Sequence, residues 1–97
     1  MIIELKKFGQ ILTSRDDGRE AYLALQPNLR DVSTKDNIII DFNDVQVFTP
    51  SWGDEFLTQL SKKFKENLFL KNTENPSVKV TLDILEETNK IKFNRVK

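Results

Sequence analysis

The hydrophobic pattern changes period several times along the chain. Ile38, Ile39 and Ile40 form an unbroken β-branched run that ends in Asp41. Such a run predicts a strand covered on both faces, as in a parallel or mixed sheet flanked by helices. β-Branching favours the strand over a short stretch of buried helix. Asp41, Asn43 and Asp44 supply turn residues. Val45, Val47 and Phe48 then alternate with Gln46 and Thr49, a second short extended piece. Pro50 ends that piece and keeps Thr49 out of helical conformation. Ser51 is the expected N-cap of the next helix, with Asp54 at the third position after it in a shortened capping box. Asp54 and Glu55 suit the positive end of the helix dipole. Phe56, Leu57, Leu60 and Phe64 fall at i, i+1, i+4 and i+8, one buried stripe at helical spacing. Gly53 lies on that stripe one turn earlier, where it allows the helix start to approach the sheet closely. Lys62, Lys63, Lys65 and Glu66 lie off the stripe and solvate the helix.

The flanking segments continue the alternation. Ile2 to Phe8 reads as a first strand, with Ile3 and Leu5 pointing one way. Ile11 and Leu12 begin another extended piece after Gly9, and Thr13 to Gly18 has loop chemistry. A helix is expected to begin between Asp16 and Gly18, with Ala21, Leu25 and Leu29 on one face and Tyr22 beside them. Pro27 should end or bend it. Leu68-Phe69-Leu70 reads as a third buried strand. From Val78 onward both periods fit, but Asn75 as a cap and Pro76 at the first helical position favour a helix from about Pro76 to Thr88. Ile91, Phe93 and Val96 alternate as an edge strand or an extended tail that frays from about residue 90. Strand, helix, strand, helix, strand, helix indicates a single α/β domain over 1–97, a mixed central sheet with about three helices.

Composition narrows the chemistry. Lys plus Arg equals Asp plus Glu at 15 each, so the chain carries no general attraction for nucleic acid or anionic membrane. Lys90, Lys92, Arg95 and Lys97 form a local basic group, which reads as a charged tail. The sequence has no cysteine and no histidine. Disulfides, thiolate nucleophiles, Ser-His and Cys-His arrangements, and most zinc or redox-metal sites are thereby excluded. No apolar run approaches the roughly 20 residues of a membrane span, and the N-terminus lacks signal-peptide order. A cytoplasmic protein without cofactor or metal, monomeric or weakly dimeric, is the expectation.

Few residues remain as chemical candidates. Asp41, Asp44, Asp54 and Glu55 are the densest carboxylates, but they lack calcium-loop spacing and a Gly-rich phosphate cradle. Turn and capping roles account for each. Ser51 has no histidine base. Trp52 either covers the core or anchors a partner. Arg15 either binds an acidic or phosphate group or makes a local ion pair.

Ile38-Ile39-Ile40-Asp41-Phe42, Val45, and Thr49-Pro50-Ser51-Trp52-Gly53-Asp54-Glu55-Phe56 together resemble a STAS-like bacterial family of unknown function. Phe8-Gly9 and Ser14-Arg15-Asp16-Asp17-Gly18 match its upstream segment, and the likeness covers roughly residues 2 to 90. More distantly the chain resembles STAS domains of the anti-sigma-factor antagonist type. There the first serine of an Asp-Ser-Ser-Gly motif is phosphorylated by a partner kinase. That serine falls on Pro50 here and the preceding aspartate on Thr49, so the phospho-switch does not carry over; Ser51 matches the second serine and is the nearest hydroxyl, with Thr49 next. The resemblance implies a non-enzymatic regulatory module that docks a protein, a histidine-kinase-type ATPase, through Thr49, Ser51, Trp52, Asp54, Glu55 and Arg15. The alternative is a small-ligand or nucleotide domain that uses the same helix N-terminus.

Overall fold

The connections decide which side of the sheet is covered. In the computed structural model, which describes residues 1–96, four strands form the main sheet in the order β1-β3-β5-β6: Ile2–Glu4, Ile38–Asp41, Leu68–Lys71 and Asn94–Val96. Each pairing is parallel. The chain therefore steps across the sheet in one direction. Its crossovers carry the helices α1 (Arg15–Leu29), α2 (Pro50–Phe64) and α3 (Pro76–Asn89). Right-handed crossovers taken repeatedly in one direction put every helix on one face. Burial agrees: Ile3, Ile38, Ile40, Leu68 and Leu70 point into the core with Phe56, Leu57, Leu60, Val78 and Leu82 of the helices. Ile39 and Phe69, which point the other way, are half-buried, and Ile2 is 59% exposed. The central strand was expected to be covered on both faces. It is covered on one, because no crossover returns across the sheet.

A second, two-stranded parallel sheet lies after the first, β2 (Ile11–Leu12) beside β4 (Val47–Phe48). The expected long first strand is cut at Glu4 by a 3₁₀ turn over Leu5–Phe8, which still buries Leu5. The α/β layering and three helices are as the periodicity predicts, and α3 has the expected cap, with Asn75 Oδ1 accepting from the Ser77 and Val78 N–H groups. α1 departs from expectation at both ends. It begins at Arg15, capped by Ser14, whose hydroxyl accepts from the Asp17 N–H at 3.0 Å. It also runs through Pro27. The carbonyl that loses its partner there is that of Leu23, and both residues lie on the exposed face, where water can bond it. The C-terminal tail forms β6, with Arg95 paired to Asp83 and Glu86. That pairing breaks up the basic group, of which Lys97 lies outside the described residues. No helix among the described residues is long and apolar enough to cross a membrane.

Candidate functional site

Two helix starts lie side by side because their leading strands are paired. Leu12 of β2 is in register with Phe48 of β4. Thr13-Ser14 and Thr49-Pro50 therefore leave the small sheet together. The Thr49 N–H donates to the Leu12 carbonyl at 3.1 Å, and the Thr49 hydroxyl donates to the Thr13 carbonyl at 2.7 Å. Thr49, not Ser51, is the N-cap of α2. Its backbone is extended (φ −109°, ψ 158°), its oxygen takes a long 3.5 Å contact from the Trp52 N–H, and its carbonyl accepts from Gly53 at 2.9 Å. Pro50 occupies the first helical position, where its missing N–H costs nothing. Ser51 is thus the second helical residue, half-buried, and Asp54 and Glu55 lie beyond the first turn. The expected capping box does not form.

The two acids have another partner. Arg15, at the start of α1, places one guanidinium nitrogen 3.3 Å from Asp54 Oδ2 and 3.3 Å from Glu55 Oε2. Three of the candidate residues are therefore brought together as an exposed ion cluster that bridges the two helices. Pairs this open contribute at most about 1 kcal/mol. The cluster fixes charge at a surface more than it holds the fold.

Trp52 is not part of that surface. It is 1% exposed and packs on Phe48 and Phe56 with ring centroids 6.0 and 4.8 Å apart, with Phe8 beyond at 6.3 Å. The helix approach is close enough to need glycines. A Cβ on Gly18 of α1 would lie 2.5 Å from the Trp52 carbonyl oxygen, and one on Gly53 would lie 2.8 Å from the Phe48 ring. Gly53 thus meets β4 and α3, through Leu85 at 2.9 Å, not the main sheet. Beside the corner runs a groove of about 280 Å³, lined by Phe8, Ile11, Ala21, Asp17 and Glu20, with the enclosed Trp52 also in its wall. Ile11 is 64% exposed. In the sequence the groove is marked only by an apolar Ile11 next to a polar loop.

The remaining carboxylates do different work. Asp41 ends β3, and its Oδ1 accepts from the Asn43 N–H at 2.9 Å and the Asn72 amide at 2.7 Å. Burial pushes its pKa up, but the Asn72 and Asn43 bonds, with the Lys71 and Lys6 charges, outweigh that and hold it below the ordinary value. Asp44 pairs with Lys6 at 3.6 Å. The four acids do not converge, and no group of three or more metal-ligating carboxylates occurs among the described residues. The α2 N-terminus is also poorly equipped for phosphate. Of its first three helical residues, Pro50 has no N–H and Trp52 directs its own at the cap, so Ser51 alone offers one.

A one-sided parallel α/β domain with two paired helix starts at a charged corner is the class of small STAS-like domains. The chain belongs to the family described as STAS-like domain of unknown function (DUF4325), whose model matches residues 17–81. That match runs from the first turn of α1 to the middle of α3 and so contains the α2 start, though not β1, β2 or β6. No curated protein and no solved structure gives a significant match.

Proposed function

We propose that the chain is a non-enzymatic regulatory module of cytoplasmic bacterial signalling that docks a protein through the paired starts of α1 and α2. The partner implied by the family resemblance is a histidine-kinase-type ATPase. The observation that carries the reading is the Arg15–Asp54–Glu55 cluster, exposed charge held on a rigid two-helix corner by the Thr49 tie. Over the first two turns of both helices, Asp16, Asp17, Glu20, Asp54 and Glu55 outnumber Arg15 and Arg19. The complementary partner surface is basic, and the Ile11 groove beside it takes an apolar side chain.

Co-purification from the native host tests this. Asp54→Lys and Arg15→Glu alter exposed charge, so each changes stability by no more than about 1 kcal/mol. Partner capture should fall at least about tenfold for Asp54→Lys, the loss expected when like charges meet in an interface. Unchanged capture by both variants, with melting temperatures at the wild-type value, assigns docking to another face.

A further inference from the structure

The main sheet has a bare face, and the pattern of its two central strands is self-complementary. One row across it is Ile2, Ile39, Phe69 and Asn94, in register; the next is Glu4, Asp41, Lys71 and Val96. These residues alternate with those under the helices, so all point away from the core. Ile2 is 59% and Val96 38% exposed, and Ile39 and Phe69 lie half-buried between them. An apolar band therefore crosses the middle of an uncovered sheet, with acids on one half of the next row and a lysine on the other.

We propose that this face associates with a second copy of the chain, sheet against sheet, about a two-fold axis that runs parallel to the strands between β3 and β5. That operation exchanges β3 and β5. It lays Ile39 against Phe69 of the second copy and Phe69 against its Ile39. It sets Asp41 opposite Lys71 and Lys71 opposite Asp41. A two-fold contact requires this reciprocity, in which residue i meets j and j meets i. Strands of the two sheets then run in nearly the same direction, the aligned arrangement of sandwiches. A like-charge match would arise only if the face carried one sign in both central strands, and it does not. The helix-start corner lies off this face, so the contact is separate from the docking reading above.

The area sets the strength. Four short strands about 4.8 Å apart, each three or four residues at about 3.3 Å, give a projected face on the order of 200 Å². Stable complexes bury about 800 Å² per partner. A face about a quarter of that size gives only weak, reversible association, so the dimer is sought between about 10 µM and 1 mM.

Sedimentation velocity of the whole chain across that range reads the association directly. The wild type should shift from monomer toward dimer as concentration rises. Lys71→Glu sets acids opposite one another and should weaken association at least about tenfold. Phe69→Thr removes the central ring while keeping a strand-forming residue, and should leave a monomer throughout. Amide chemical shifts of the wild type should move with concentration at Ile39, Phe69 and Lys71 and stay fixed at Ser51 and Arg15. If Phe69→Thr does not fold, the exposed Lys71→Glu decides alone. A wild type that stays monomeric at about 1 mM gives the face to another occupant and overturns the proposal. So does a dimer whose dissociation constant in both variants equals that of the wild type.

Discussion

Gly18→Ala sets two effects of opposite sign against each other. Gly18 is the fourth residue of α1, and replacing a helical glycine by alanine ordinarily stabilises by up to about 1 kcal/mol. The added methyl would, however, stand 2.5 Å from the Trp52 carbonyl oxygen and 3.0 Å from its Cα. Both are backbone atoms of α2, so no side chain can swing aside; the helices must separate or α1 must bend. Overpacking of this kind costs about 1–3 kcal/mol. Contact should win, because a close approach at backbone moves whole helices and loosens the aromatic packing of Trp52 on Phe56. The net loss is about 1–2 kcal/mol, which for a domain of this length lowers the melting temperature by roughly 5–15 °C. Thermal melts followed by far-ultraviolet circular dichroism measure it. Ala24→Gly, at an exposed position of the same helix, isolates the propensity effect and should cost about 1 kcal/mol. A Gly18→Ala variant that melts at or above the wild type would refute the close crossing.

Trp52→Ala should act on folding, with a loss of about 3–5 kcal/mol in thermal or denaturant unfolding, since the indole is fully enclosed; a melting temperature within 3 °C or so of the wild type would return Trp52 to the surface. Asp41 titrates below its ordinary value in the folded chain, so its stabilising contribution is complete above about pH 4–5 and is lost as pH falls through the lowered folded value. The gap in melting temperature between wild type and Asp41→Asn should be constant above that range and close below it; a gap that does not change on acidification removes the role given to Asp41.

What the sequence carried was mostly period, and what it lacked was register. The triple isoleucine, the Leu68–Leu70 run and the stripe from Phe56 to Phe64 each became the element their spacing implies. Asn75-Pro76 resolved an ambiguous segment because a cap and a first-turn proline both point to helix. Thr49-Pro50 carried the same signal. Read as the end of a strand, it moved the expected cap two residues late, to Ser51. The extended backbone of a residue before proline is also what an N-cap requires, so both readings shared the same local geometry. Ser14 with Asp17 looks like a loop rather than a cap because Gly18 follows, whereas that glycine serves a helix crossing. A run of three isoleucines cannot report that only one face is covered; that follows from the direction of the crossovers. The Arg15 contact with Glu55, 40 positions apart in sequence, depends on Leu12 meeting Phe48, which no local pattern encodes.

The register also makes the two hydroxyls at the corner unequal. Thr49 donates to the Thr13 carbonyl and caps α2. A phosphate there would remove the donor and place about −1.5 to −2 charges against the carbonyls it now bonds. The link between the two helix starts would open, and the change would be structural. Ser51 is one residue past Pro50, carries no cap and lies one turn before Asp54 and Glu55. A phosphate at Ser51 would meet the α2 dipole favourably and those two acids unfavourably. The Arg15 bonds to those acids, at 3.3 Å, are longer than the 2.7–2.9 Å of strong charge-assisted pairs. Modification of Ser51 would thus change the charge of the corner and leave its shape, while modification of Thr49 would dismantle the corner itself. Of the two hydroxyls, Ser51 is therefore the one whose phosphorylation should leave the corner intact.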